Sequence, residues 1–167
     1  QDQNIYTCGL EGIIRKWDLS GQLLAEYGKT AAGLNALTLD ESGKILIAGD
    51  AAGYLYGWNS ITGDPVNDVK AHTAGITGMV VLDDVIYSSG VDGRLVKTEL
   101  RTWTSQLLSK VEAGTIHDLH AAGAGTLVFT VQQKQKKGSV QYIGGCNIAR
   151  GKMLKPIRTG FNSSHGF

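Results

Sequence analysis

Short apolar runs alternate with polar turn clusters along most of the chain. Between residues 34 and 70 four such runs follow one another: Leu34–Leu39, Lys44–Ala48, Tyr54–Trp58 and Pro65–Val69. Alternation with a period of two predicts strands rather than helices, because successive side chains of a strand point to opposite faces. The clusters between the runs are rich in Gly, Asp and Ser, which favour tight turns. This stretch therefore predicts a four-stranded antiparallel sheet.

The same unit recurs along the chain. Each copy has a turn glycine and, five residues later, a position that is Trp in the first two copies. The turn glycines are Gly12, Gly53 and Gly93, and the later positions are Trp17, Trp58 and Thr98. Both sets are separated by 41 and then 40 residues. A fourth, weaker copy has its turn glycine at Gly138, and we expect its extra residues, 132–137, to project as a polar loop.

A single sheet with two apolar faces cannot bury both of them by itself. Stacking the copies around an axis buries both faces, and this arrangement is the β-propeller. A repeat of 40–45 residues with four strands is typical of one propeller class. The sequence therefore predicts an all-β propeller with a partial blade in 1–30 and full blades in 31–71, 72–112 and 113–158. Residues 159–167 are expected to form a flexible tail or linker.

The repeats resemble those of the WD40 family. The resemblance is strong over residues 3–100, weaker over 101–158, and rests on five short motifs. These are Lys16-Trp17-Asp18, Gly57-Trp58-Asn59, Val91-Asp92-Gly93, the turn at 40–43, and Ala71-His72. A ring of that family has about seven four-stranded blades, whereas this chain carries about 3.75. Three arrangements stay open: a fragment of a longer chain, closure by a second copy or another subunit, and a four-bladed ring.

The resemblance also implies a blade-locking hydrogen-bond chain of His, Ser or Thr, Asp and Trp. By position, one copy offers His72, Ser88 and Asp92, but it has Thr in place of Trp. The two earlier copies contribute Trp17 and Trp58 to this set. No copy has all four residue types, so the array is a divergent one.

Composition excludes several classes of protein. Apolar residues make up 42% of the 167 residues, and the net charge is only +1, which excludes a disordered chain. The longest apolar run is about five residues, far below the length that a membrane-spanning helix needs. Two cysteines are too few for a disulfide framework. We therefore expect an intracellular protein, cytoplasmic or nuclear, with cytoskeletal association as a further possibility.

Three large or reactive side chains are expected in the interior. Trp103 interrupts the strand pattern, and an anchor between blades is a better interpretation than an exposed partner contact, because Trp is usually largely buried. Cys8 and Cys146 are expected to be buried or idle thiols, which suits a reducing compartment.

The candidate chemistry does not point to an enzyme. His117 and His120 are three residues apart, so on a strand they would face opposite sides unless a bulge intervenes, and no metal is expected there. The set His72, Ser88 and Asp92 has the composition of a hydrolytic triad, but the resemblance assigns it to blade locking. No glycine-rich segment has a phosphate-loop or dinucleotide-binding signature. We expect no catalysis, no metal and no cofactor.

The resemblance implies a non-catalytic scaffold for protein–protein interaction, within a larger protein or a multi-subunit complex. Partner contacts are expected on the loops at the rim of the central funnel. In this sequence those loops centre on Leu10, Glu11, Asn35, Asp50, Ala51, Thr77, Val91, Asp92 and His117. They are mostly acidic or small, which favours a basic peptide as the partner.

The uneven distribution of charge supports a second hypothesis. Residues 1–118 hold all 15 acidic residues and 9 of the 16 basic ones, for a net charge of −6. Residues 119–167 hold seven basic residues and no acidic one. These are Lys134, Lys136, Lys137, Arg150, Lys152, Lys155 and Arg158. Such a region suits nucleic-acid or ribonucleoprotein association, and equally a solvated surface balanced by the acidic part of the chain.

Overall fold

The computed structural model describes residues 3–123, 125–135 and 138–162, and every regular element in these ranges is a β-strand. The strands form four antiparallel sheets, which we call blades 1 to 4. Blade 1 contains β1 (Ile5–Cys8), β2 (Ile13–Trp17) and β3 (Leu23–Lys29). Blade 2 contains β4 (Leu34–Leu39), β5 (Ile45–Asp50), β6 (Tyr54–Asn59) and β7 (Pro65–Lys70). Blade 3 contains β8 (Ile76–Leu82), β9 (Val85–Gly90), β10 (Arg94–Glu99) and β11 (Thr104–Lys110). Blade 4 contains β12 (Thr115–Ala121), β13 (Thr126–Gln135), β14 (Gly138–Asn147), β15 (Lys152–Met153) and β16 (Ile157–Asn162).

Each of the first three blades is a simple meander, in which strands that follow one another in sequence pair as neighbours. Short turns make this possible, because antiparallel strands can be joined by tight hairpins. Consecutive blades contact one another through their inner strands: β4 lies against β8, and β8 lies against β12. Together the blades form an arc that does not close. The closed four-bladed ring, one of our three alternatives, is therefore not the arrangement of this chain.

The hairpin of blade 4 is longer than the sequence suggested. β13 and β14 pair from Thr126 opposite Asn147 to Gln135 opposite Gly138 without an irregularity. The prediction of a projecting loop is thus wrong for residues 132–135, which continue the strand. Their pairing partners on β14 include Val140, and β-branched cross-strand neighbours favour continued pairing. Residues 136 and 137 lie outside the described ranges.

The outer strand of blade 4 is broken into two pieces. β15 pairs with β14 at Cys146 and Asn147, and β16 pairs with the other half of β14, where Ile157 lies opposite Ile143. Pro156 lies at the break, and proline has no N–H to donate to a ladder. Residues 159–162, which we expected in the tail, belong to β16 because the extended hairpin gives them a strand to pair with. The rest of the expected tail, 163–167, lies outside the described residues.

Buried apolar side chains form one cluster between each pair of neighbouring blades. The strand period explains this: Leu46 and Ala48 of β5 join the cluster facing blade 1, whereas Ile47 between them joins the cluster facing blade 3. Trp103, at 5% exposure, lies in the cluster between blades 2 and 3, so its prediction as a core anchor is confirmed. Cys146 is fully buried and Cys8 half-buried, and burial raises the pKa of both thiols. Among the described residues, no helix is long and apolar enough to cross a membrane.

Candidate functional site

The turns of the blades fall on two opposite rims. On the first, which we call the upper rim, the turns that contain Gly12, Gly53 and Gly93 are each hydrogen-bonded to the connection that leaves their blade. The Gly53 carbonyl accepts from the amide of His72 at 3.0 Å, and the Gly93 carbonyl accepts from the amide of Val111 at 2.9 Å. On the lower rim the other turns are bonded to each other, as where the amide of Ser60 donates to the carbonyl of Lys44 at 2.9 Å. These bonds connect neighbouring loops on each rim.

Glycine is required at the close approach on the upper rim. Gly53 has φ of +92°, and a Cβ there would lie 2.5 Å from the carbonyl oxygen of His72. A side chain would therefore suffer both backbone strain and a collision with the neighbouring connection. The turn glycine that marks the repeat in the sequence is explained by this contact.

Beneath the upper rim of blade 3 lies a buried hydrogen-bond chain. His72 Nδ1 is 3.0 Å from Asp92 Oδ1, and His72 Nε2 is 2.9 Å from Ser88 Oγ. An ionised carboxylate only accepts, so Nδ1 carries the hydrogen and Nε2 accepts from the Ser88 hydroxyl. Asp92 also accepts from the backbone amides of Thr73, at 2.9 Å, and Arg94, at 3.1 Å. One carboxylate therefore joins the inter-blade connection to the start of β10, and His72 extends the chain to Ser88 of β9.

His72, Ser88 and Asp92 are connected as in a hydrolytic triad, but they are not accessible to a substrate. Ser88 is fully buried, and His72 is 1% exposed. A nucleophile must reach a substrate carbonyl, and Ser88 Oγ in this position reaches only the interior. In this conformation Ser88 therefore lacks the access that nucleophilic attack requires.

Burial lowers the pKa of His72 below its ordinary value, and this effect outweighs the opposing hydrogen bond and charge of Asp92. Burial alone would raise the pKa of Asp92, yet its hydrogen bonds from His72 and from the Thr73 amide lower it overall. At neutral pH the pair is thus a neutral imidazole and an ionised carboxylate.

Acid should weaken the fold through His72. The unfolded chain takes up a proton near the ordinary histidine pKa, whereas the folded chain does so only at lower pH, so stability is full above about pH 6.5 and falls as pH decreases. We expect the urea midpoint to drop between about pH 7.5 and about pH 5.5, and H72N to flatten this dependence. The exposed control H120N should keep the wild-type slope, and an unchanged slope in H72N would contradict the assignment.

Other blades use different fragments of such a network. In blade 1 the Trp17 indole donates to Thr7 Oγ1 at 2.9 Å. In blade 2 the buried Asp50 accepts from the amides of Ala52 and Tyr54 at 2.9 and 2.8 Å, and from the Tyr56 hydroxyl at 3.1 Å. Sequence reasoning missed both Thr7 and Tyr56 as partners.

The remaining aromatic position also differs between blades. The Trp58 ring is 6% exposed and packs over Gly28, where a Cβ would lie 2.7 Å from Trp58 Nε1. At the equivalent position of blade 3, Thr98 Oγ1 lies 2.8 Å from Ser105 Oγ. A hydrogen bond between two hydroxyl groups therefore replaces the Trp of blades 1 and 2. In blade 3 the hydrogen bonds of His72 and Asp92 therefore occur without a Trp at this position.

Two predicted partner-binding residues instead connect one blade to the next. Asn35 Nδ2 donates to the carbonyl of Ile76 at 3.3 Å, and Thr77 Oγ1 donates to the carbonyl of Ile116 at 2.5 Å. Each lies at an irregularity of its inner strand, where one extra residue opposes β5 or β9. Such a bulge re-aims the side chain towards the next blade. His117 follows the buried Ile116 of β12 in the same way, but it is paired opposite Thr130, and the irregularity of β12 comes after it. Its side chain is half-buried.

The bulge in β12 changes the expectation for the two histidines. His117 lies opposite Thr130 and His120 lies opposite Val128, so the intervening irregularity puts both on one face of the sheet rather than on opposite faces. Of the two residues between them, Asp118 has φ of +50° and accepts from Thr130 Oγ1 at 3.0 Å. No group of three or more potential metal ligands occurs within the described ranges.

The upper rim exposes an apolar side chain two residues before each of the repeat glycines Gly12, Gly53 and Gly93. Leu10 is 83% exposed and Val91 is 50% exposed, and Ala51 is exposed at the same position of the intervening turn. By contrast, Asp50 and Asp92 are occupied by internal hydrogen bonds, as described above. Glu11 is exposed but forms an ion pair with Arg15. The acidic surface that suggested a basic peptide is therefore reduced to one paired carboxylate, and Leu10, Ala51 and Val91 form what we call the rim stripe.

The basic residues are spread along the outer part of blade 4. Lys152 lies opposite Asn147 at one end of β14, Arg158 lies opposite Tyr142 near its middle, and Lys134 lies on β13 opposite Ser139 near the other end. Arg150 and Lys155 are exposed in the segments that flank β15. None of these five forms an ion pair with another described residue. Lys136 and Lys137, the other two predicted members, lie outside the described residues.

Comparison with solved structures identifies the fold. The described arc of antiparallel blades, with three to five strands each, is that of a β-propeller. It is similar to the crystal structure of RRP9 WD40 repeats (TM-score 0.77, 15% identity, 92% of this chain and 47% of that one) and to the structure of U3-55K (TM-score 0.77, 15% identity, 92% and 48%). The computationally designed Ika8 protein is also similar, with a TM-score of 0.72 and 22% identity over 93% of this chain and 46% of its own.

These likenesses, together with the antiparallel blades, show that the chain has the fold of a partial WD40-type propeller, so the predicted fold class is confirmed. The chain spans about half the length of these solved structures. No family model and no curated protein matches the sequence.

Proposed function

We propose that this chain is a non-catalytic protein-interaction scaffold, a WD40-type platform within a larger protein or a multi-subunit complex. The observation that supports this most is the rim stripe: three exposed apolar residues at repeat-related positions of one rim. Loops held by a rigid scaffold are where recognition concentrates. The sealed position of Ser88 and His72 supports a structural rather than a catalytic use of the polar network. Two free thiols are compatible with an intracellular, cytoplasmic or nuclear location.

The rim stripe has the properties of a protein contact. Leu10 stands out from its turn, and an exposed apolar anchor that fills a partner's pocket contributes much of the affinity of an interface. Its support is firm, because the adjacent Gly12 amide donates to the Gly9 carbonyl at 3.0 Å, and the amide of Leu34 donates to the same carbonyl at 3.0 Å. Such a preformed loop loses little conformational entropy on binding.

Charged substitutions in the rim stripe should abolish partner binding without unfolding the chain. We expect the double variant L10D/V91D to lose, by at least about tenfold, the proteins that co-purify with the wild type, because desolvating a carboxylate in an apolar contact is unfavourable. Quantitative mass spectrometry of affinity eluates measures this. I61D is the matched control, since Ile61 is 76% exposed on the lower rim. Equal losses from both variants, or none from L10D/V91D, would refute the rim assignment.

Nucleic-acid or ribonucleoprotein association is the second candidate function. It is supported by the five described basic residues without an ion-pair partner on blade 4 and by the absence of acidic residues after position 118. Binding of a single-stranded RNA should then weaken steeply with salt, and K152E/R158E should reduce the slope by about 1.4, at about 0.7 per lost phosphate contact. A salt-independent interaction, or unchanged binding by K152E/R158E, would exclude this candidate.

A further inference from the structure

An open concavity lies on the upper rim between blades 3 and 4. We call it the hairpin cleft; its volume is about 800 Å³. It is lined by Val91, Ala113, Gly114, Thr115, Gln132, Lys134, Gln135 and Ser139. Val91 belongs to the rim stripe, so the cleft continues the surface already assigned to partner contact. Its far wall is the extended β13–β14 hairpin, which exceeds the length of the other hairpins.

One edge of this wall has no partner strand in the described part of the chain. β12 pairs with β13 only as far as Thr115 opposite Gln132, whereas β13 continues to Gln135 along β14. The stretch Gln133–Gln135 therefore presents a short backbone edge beside the rim. Such an edge can accept an extended peptide as an added strand, with main-chain hydrogen bonds supplying affinity. The Gln133 side chain holds the base of the edge by donating to the Glu112 carbonyl at 3.2 Å.

The lining of the cleft is apolar on one side and cationic on the other. Val91 and Ala113 supply the apolar side, and Lys134 is the one charged side chain among the lining residues. No carboxylate of the described residues lines the cleft. The carboxylate of Asp92, next to Val91 in sequence, is held beneath the rim by His72. Glu112, the exposed residue before Ala113, is not among the lining residues, so the lining itself carries the single positive charge of Lys134. A lining of this sign favours a partner with negative charge.

We propose that the hairpin cleft binds an extended acidic segment of a partner protein. The backbone of the segment lies along Gln133–Gln135, a carboxylate pairs with Lys134, and an apolar side chain contacts Val91. This inference rests on the proposed scaffold function and names the chemistry of its partner. A single-stranded nucleic acid fits less well, because the described lining has no aromatic side chain on which a base could stack.

Fluorescence polarisation with a labelled octapeptide of alternating Glu and Val tests the proposal on the whole chain. We expect saturable binding, weakened about tenfold or more by K134E and less than about twofold by K152E, which makes the same charge change outside the cleft. The corresponding Lys–Val peptide should not bind. Circular dichroism melts establish that both variants remain folded.

If K134E and K152E weaken binding equally, the peptide responds to a diffuse positive field, and the proposed binding in the cleft is wrong. The proposal is also wrong if a single-stranded RNA binds more strongly than the peptide and is equally sensitive to both variants. Failure of the Glu–Val peptide to bind would also overturn it. If L10D/V91D abolishes partner capture while the peptide fails, the acidic-segment inference falls and the scaffold function stands. If L10D/V91D leaves partner capture unchanged, the scaffold assignment itself fails, whatever the peptide does.

Discussion

The substitution W103A should lower the free energy of unfolding by about 3–5 kcal/mol. Trp103 is 5% exposed and fills the space between blades 2 and 3, where it packs against Gly57. A Cβ on Gly57 would lie only 2.5 Å from Trp103 Cζ2, so the glycine makes room for the ring. Removing the indole leaves a cavity at a junction that the two rigid sheets cannot close. The indole nitrogen has no hydrogen-bond partner in the described part of the protein, so the loss is one of packing.

Urea denaturation of W103A and W17A compares the free energies of unfolding of the two variants. The comparison distinguishes the loss of buried packing from the loss of an indole as such. Trp17 is partly exposed and donates one hydrogen bond, which is worth about 1 kcal/mol, so W17A should destabilise far less. Equal losses in the two variants would mean that Trp103 does not anchor the junction between blades.

The second large effect is expected from D92A, which should lower the free energy of unfolding by about 3 kcal/mol. Four donors lose their acceptor at once: His72 Nδ1, the Thr73 hydroxyl, and the backbone amides of Thr73 and Arg94. The Asp92 side chain is 6% exposed, so water has little access to replace it. A buried donor left without an acceptor loses its hydration without compensation.

D18A is the control for D92A. Asp18 also accepts two backbone amides, from Ser20 and Gln22 at 2.9 Å each, but it does so at the surface. Water can take over these bonds, so the loss in D18A should be much smaller. Chemical denaturation at neutral pH measures both. Comparable losses would show that the number of bonds, rather than their burial, sets the contribution.

The blades could be predicted because they depend on local patterns. The strands are indicated by alternating apolar and polar residues. The upper-rim turns at Gly12, Gly53 and Gly93 all need glycine because φ is positive and the neighbouring connection is close. The repeat also contained a signal that we did not use. Thr7 precedes Gly12 by the same five residues that separate Ser88 from Gly93, and this offset identifies it as the strand partner of Trp17.

Other features depend on long-range pairing that no local pattern encodes. The polar segment 132–135 has no strong strand preference, and it extends β13 only because β14 offers partners across from it. The bulges at Asn35 and Thr77 turn residues expected at the partner surface into links between blades. Asp50 was expected at the partner surface, and Asp92 both there and in the blade-locking chain. Both carboxylates accept hydrogen bonds from backbone amides, and that of Asp92 also accepts from His72.

The central claim is that the upper rim, and not the lower one, contacts a protein partner. A photo-activated cross-linking residue placed at Ala51, in the rim stripe, tests it most directly when compared with the same residue at Ile61 on the lower rim. Irradiation in an extract of the source cells should give a discrete cross-linked protein from Ala51 and none from Ile61. Identical adducts from both positions, or an adduct from Ile61 alone, would contradict the account.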